Sequence, residues 1–153
     1  MNPDPHPGIH WPPGWGPDRC DSFVHHRHRT SASADAVFAK LAAVEEWPKW
    51  QRAVDRTEVV EDLAVGSRFV VVSPPHTFDG IVGEFVPPTR FGWAAVGDQL
   101  SFYQSWLLRD DPGGGALVIF EEASRGLAAL LQATGRAELT RGWLDTLPPA
   151  HEP

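Results

Sequence analysis

Three polar side chains, Glu122, Gln104 and Asp79, stand in the apolar phase of alternating segments, and they are the first places to look for chemistry. In an extended strand, residues two apart share a face. Within ALVIFEEAS (116–124), Glu122 is in phase with Val118 and Phe120 and opposite Glu121. A carboxylate among apolar neighbours is costly, so such a group takes up a proton more readily or finds a partner. Either outcome suits a general acid/base or an anchor for a ligand hydroxyl. The competing expectation is a solvated rim position at the end of the strand, paired with Arg125. Within LSFYQSWLLR (100–109), Gln104 is in phase with Phe102, Trp106 and Leu108, where an amide can orient a ligand carbonyl or be satisfied by buried water. Asp79 of FDGIVGEFV (78–86) falls in phase with Ile81, Gly83 and Phe85, opposite Glu84; beside the hairpin a solvated loop role is the expectation for it, and chemistry the alternative.

Other reactive residue types lack the spacing that chemistry needs. His25, His26 and His28 alternate with Arg27 and Arg29; two histidines on one strand face do not make a metal site, and a third ligand is not evident. No metal and no cofactor is therefore expected. Cys20 is the sole cysteine, which excludes an intramolecular disulfide, and it has no histidine at an activating spacing. The glycines of Gly97-Asp98-Gln99 and Gly113-Gly114-Gly115 serve hairpin turns rather than a phosphate loop.

The elements that must hold these residues follow from the same periodicities. SFVHHRHRT (22–30) reads as the first strand. Ser33 then caps a short helix carrying Val37, Phe38, Leu41 and Val44, and a further helical turn covers 45–50 around Trp47 and Trp50. Strands follow at 53–61, 67–73, 78–86, 90–96, 100–109 and 116–124, separated by Pro-Pro and Gly-rich turns, as in an antiparallel meander. Past Gly126, the spacing of Leu130, Ala133, Ala137, Thr140, Leu144 and Leu147 predicts one long amphipathic helix, stopped by Pro148-Pro149. Residues 1–21 hold six prolines and three glycines, together with Ile9, Trp11 and Trp15. That composition predicts either a free leader or an extended arm that lays its tryptophans on the domain, over the pocket mouth. The division is thus an arm (1–21), a domain (22–147) and a short tail (148–153).

This order of elements resembles the helix-grip fold of the START-like, Bet v 1-like superfamily. SASADAVFAKLAAVEEWPKW, LAVGSRF, EFVPPTRFGW and GGGALVIFEEASRG are each similar to segments of its polyketide cyclase/dehydrase-like branch, in the same order. The resemblance covers about residues 22–147. It implies an α+β fold, with a seven-stranded curved antiparallel sheet around a long C-terminal helix and two short helices after the first strand. It also implies a cavity on the concave face of the sheet, so that Phe69, Val71, Phe85, Phe91, Trp93, Phe102, Trp106 and Phe120 become walls of a ligand site, with Leu131 added by the last helix. Two functions fit: a carrier or sequestering protein for a hydrophobic polyketide-, lipid- or aromatic-like molecule, or a cofactor-independent cyclase or dehydratase using Glu122, with help from Gln104 or Asp79.

Charge narrows the partners. Twenty acidic against 13 basic side chains give a formal net charge of −7, which disfavours nucleic-acid phosphates and anionic membrane surfaces. With no basic start leading into an apolar run and no stretch long enough to span a bilayer, no membrane insertion and a cytoplasmic location are expected. Oligomeric state stays open.

Overall fold

Seven segments rich in β-branched and aromatic residues, each bounded by Pro or Gly turns, can only satisfy their backbone groups by pairing with one another. The structure, a computed structural model, describes residues 5–150 apart from the side chains of Ala133 and Thr134. Residues 1–4 of the expected arm, residues 151–153 of the tail and the Ala133 position of the helical stripe thus lie outside the described residues. The strands are β1 (Ser22–Thr30), β2 (Arg56–Val59), β3 (Arg68–Ser73), β4 (His76–Val86), β5 (Arg90–Val96), β6 (Ser101–Asp110) and β7 (Ala116–Arg125). They form one antiparallel sheet in the order β1-β7-β6-β5-β4-β3-β2, and the sheet is not closed. The first strand pairs with the last, which brings the two ends of the domain together.

Helices α1 (Ala34–Ala42) and α2 (Trp47–Trp50) follow β1. Ser33 caps α1 through its hydroxyl, which accepts from the Ala36 backbone N–H at 3.1 Å. Trp47 is fully buried and donates through its indole to the Leu41 carbonyl at 3.0 Å, tying the two short helices together. The architecture is the helix-grip α+β fold, with the concave face of the sheet packed on these helices and on the C-terminal segment.

The last helix departs from expectation. It is two helices, α3 (Leu127–Leu131) and α4 (Ala133–Arg141), broken at Gln132, whose φ of −125° and ψ of 31° lie outside the helical region. The buried line runs through Ala129, Arg136, Thr140, Trp143, Leu144 and Leu147. It shares Thr140, Leu144 and Leu147 with the stripe read from sequence and departs from it toward the N-terminal end, where Ala129 and Arg136 are the buried residues. Leu130 and Leu131 are consequently exposed, so Leu131 is not a wall of the interior. After α4, Gly142 lets the chain approach Gln51 closely; a Cβ there would lie 2.8 Å from Gln51 Oε1.

A second departure concerns β4. The register shifts between Val82 and Glu84. A β-bulge places one extra residue in a strand and reverses the phase beyond it. Before the bulge Phe78 and Val82 are buried in the core, while Asp79 is exposed and Ile81 and Gly83 leave the inward face. After it Phe85 turns inward as expected and packs edge-on against Phe38 at 5.2 Å.

Candidate functional site

Neighbouring strands set side by side the polar residues that the sequence placed apart. Trp93 on β5 opposes Gln104 on β6, and Gln104 opposes Glu122 on β7. All three are buried. Gln104 Oε1 accepts from the indole N–H groups of Trp93 (2.9 Å) and Trp106 (3.4 Å), and its Nε2 donates to Glu122 Oε1 at 3.1 Å. The amide acts as a bracket, its oxygen accepting from two indoles and one of its N–H groups holding the carboxylate.

Glu122 is 0% exposed, and its partner comes from a different element than expected. Arg136 on α4 donates through Nη2 to both carboxylate oxygens (2.6 and 2.7 Å) and through Nε to Oε2 (3.2 Å), while Ser124 Oγ adds a contact of 3.2 Å. Arg125, the partner foreseen for a rim position, instead stacks on Trp15, 3.8 Å from the ring centroid. One turn further along α4, Thr140 Oγ1 donates to the Arg136 carbonyl at 2.8 Å and stands 2.9 Å from His26 Nε2. Burial lowers the pKa of His26, and the charges of Arg141 and His25 add to that effect. Sequence reasoning missed Arg136; the available signal was a charged residue at helical spacing from Thr140.

Two spaces open beside this network. A cavity of about 20 Å³ is lined by Val54, Val71, Phe78, Trp93, Phe102, Arg136, Leu139 and Trp143, among others, and holds at most about one water molecule. A groove of about 400 Å³ lies outside it, between the β3–β4 turn and α4, lined by Ser73, Pro74, Pro75, His76, Leu100, Gln132, Gly135, Arg136 and Leu139. Ser73, Arg136 and Leu139 belong to both. Burial lowers the pKa of His76, and the charge of Arg136 lowers it further.

Of the expected walls, Val71, Trp93 and Phe102 line the cavity. Phe69, Phe91, Trp106 and Phe120 line neither space. They are packed as core, Trp106 against Phe120 at 4.3 Å and Phe69 against Trp47 at 5.7 Å. Beside these residues the concave face is packed, chiefly by Trp47 and Trp143, whose ring centroids lie 4.9 Å apart, and the cavity expected there is confined to about 20 Å³. Asp79 lies exposed on the other face of β4, away from Glu122 and Gln104, so the three do not form one catalytic group. Among the described residues no group of three His, Cys, Asp or Glu is placed to hold a metal ion.

The N-terminal arm docks, but on the outer face of the sheet. Ile9 is buried against Leu107 and Ile119, and Trp11 lies 5.9 Å from the Tyr103 ring. Arg90 donates to the Gly8 carbonyl at 2.6 Å, and His10 pairs with Glu84 at 2.7 Å. Glu121, fully buried beneath the arm, accepts from the His6 backbone N–H (2.7 Å) and lies 2.7 Å from His25 Nδ1. The tryptophans therefore pack against Tyr103 on the back of the sheet and line neither the cavity nor the groove at Arg136.

No family model and no curated protein matches this sequence. Solved structures do match its fold. A hypothetical protein from Helicobacter pylori superposes with a TM-score of 0.80 at 19% identity, covering 94% of this chain and 96% of that one. A START superfamily protein from Mycobacterium smegmatis gives 0.66 at 13% identity, covering 80% and 94%. A protein from Chromobacterium violaceum gives 0.65 at 17% identity, covering 81% and 92%. At these identities the likeness is one of fold. No helix among the described residues is long and apolar enough to cross a membrane.

Proposed function

We propose that this protein binds an apolar small molecule at the open end of the grip, with the body of the ligand in the groove and its tip directed toward the Trp93–Trp143 cavity. The observation that carries this reading is the junction of the two spaces at Ser73, Arg136 and Leu139. A groove of about 400 Å³ is within the usual range for small-molecule sites, and a few polar groups among apolar walls is their usual make-up. The START superfamily neighbour and the resemblance to the polyketide cyclase/dehydrase-like branch support a hydrophobic ligand.

The enzymatic alternative rests on Glu122, and its surroundings favour binding over catalysis. A general acid/base must reach the proton it moves. Glu122 is fully buried, lines neither space and spends its oxygens on Arg136, Gln104 and Ser124.

Trp93 and Trp143 in the cavity wall make the reading testable by intrinsic fluorescence. Titration with naphthalene should quench the wild-type protein saturably. Leu139→Trp, which fills the shared mouth from a half-buried position, should abolish saturation while leaving the melting temperature within a few degrees. Unchanged affinity in that variant would place the ligand elsewhere and sink the proposal.

A further inference from the structure

We propose that the ligand of this groove presents an uncharged oxygen acceptor, a ketone or aldehyde carbonyl, to Nη1 of Arg136, and that Glu122 sets this preference by cancelling the guanidinium charge. The inference rests on the binding reading above and names the chemistry of what binds. Arg136 is 6% exposed and lines both the groove and the cavity. Its Nε and Nη2 are committed to Glu122, whereas Nη1 has no partner among the described residues. A guanidinium is a planar fork of five N–H donors, so a carboxylate holding Nε and Nη2 leaves the Nη1 donors directed away from it. Nη1 is not among the buried polar atoms without a partner, so it faces the groove, and an acceptor there gains a hydrogen bond from an ionised donor, about twice as strong as a neutral one.

The charge balance selects the kind of oxygen. Among the described residues no Asp, Glu or Lys lines either space, and Arg136 is the only permanent cation that does. That cation already faces one anion at 2.6 Å. A ligand carboxylate would set two partly desolvated anions around a single guanidinium, at a cost that a neutral carbonyl does not incur. A plain hydrocarbon would fill the groove and leave Nη1 without a partner. Glu122 is in this view a positioning residue: it aims the guanidinium and sets the net charge that the ligand meets.

Three probes of one skeleton separate these cases: naphthalene, 2-acetylnaphthalene and 2-naphthoate, titrated by calorimetry at pH 7.5. The ketone should bind roughly tenfold more tightly than naphthalene, the ratio expected for one hydrogen bond to a charged donor, and naphthoate should bind more weakly than the ketone. In Glu122→Gln the order should invert, with naphthoate the tightest, which a merely structural carboxylate would not produce. Naphthoate binding tightest to the wild type, or a ketone no better than naphthalene, overturns the inference while the groove reading survives. Failure of all three to bind overturns both. The wild-type order stands as a test even where Glu122→Gln does not fold.

Discussion

Arg136 Nη2 lies 2.6 Å from Glu122 Oε1 and 2.7 Å from Oε2, so a single side chain clasps α4 to the centre of β7 in the interior. No backbone hydrogen-bond ladder links a helix to a sheet, and α3 contributes little depth, since Leu127, Leu130 and Leu131 face outward. The position of the C-terminal segment therefore depends on this ion pair and on Trp143, Leu144 and Leu147 behind it. The same pair carries the proposed ligand contact, so stability and specificity meet in one interaction.

Breaking the pair from one side should be far worse than removing it. Removing one partner of a buried pair leaves an uncompensated charge and costs about 3–5 kcal/mol. Arg136→Met should show a loss of that order in urea denaturation, and adding Glu122→Met should recover a substantial part of it. A double variant as unstable as the sum of the singles would mean that the two side chains do not interact energetically.

Stability should also fall on mild acidification because of His26. Its pKa in the fold is held below the ordinary 6.5, by burial first and then by Arg141 and His25. A group that binds its proton less readily folded than unfolded makes the unfolded state the better proton acceptor. The stabilisation is therefore complete above about pH 6.5 and lost progressively as pH falls below that value. His26→Gln, which keeps a donor toward Thr140, should flatten the dependence of melting temperature between pH 7.5 and 5.5. A slope equal to that of wild type would assign the effect to other groups, His76 first.

How far the sequence carried depended on which signal each element used. Period-two alternation placed β1 and β5–β7, and hence Gln104 and Glu122, because the ladders β1–β7, β7–β6 and β6–β5 run without a register shift. It failed on β4, where a bulge between Val82 and Glu84 reverses the phase and moves Asp79 outside. It failed again on the last helix, where the buried line includes Arg136, a charged residue that a search for apolar stripes does not count, although Thr140, Leu144 and Leu147 were placed correctly. The walls of the pocket were only partly legible for a different reason. An inward aromatic can bound a cavity or fill it, and only packing against Trp47 and Trp143 decides between the two.

The arm should stabilise the fold without touching the ligand site. Ile9→Ala removes a side chain buried against Leu107 and Ile119 and should cost about 2 kcal/mol or more. His10→Ala should cost under about 1 kcal/mol, because the His10 side chain is 62% exposed. Neither should alter naphthalene affinity, since the arm lies on the opposite face of the sheet from the groove. An affinity change in Ile9→Ala would show that the two faces are coupled.

Glycines at two positions on the outer face make room for Tyr103. A Cβ on Gly92 would lie 2.3 Å from the Tyr103 hydroxyl oxygen, and one on Gly83 would lie 2.6 Å from it. The ring cannot easily retreat, because Trp11 and Trp15 pack against it with centroids 5.9 and 6.2 Å away. Gly92→Ala should therefore destabilise by about 1–3 kcal/mol, the usual cost of overpacking. Combining it with Tyr103→Phe removes the nearest clashing atom and should restore at least half of the loss, a coupling that a double-mutant cycle reads directly. Gly135 on α4 is the control. A Cβ there meets nothing nearer than the Gln132 Cβ at 4.0 Å, so Gly135→Ala should be neutral or stabilise by up to about 1 kcal/mol through helix propensity alone. Equal losses at Gly92 and Gly135 would mean that glycine is needed at Gly92 for some reason other than the space taken by the tyrosine.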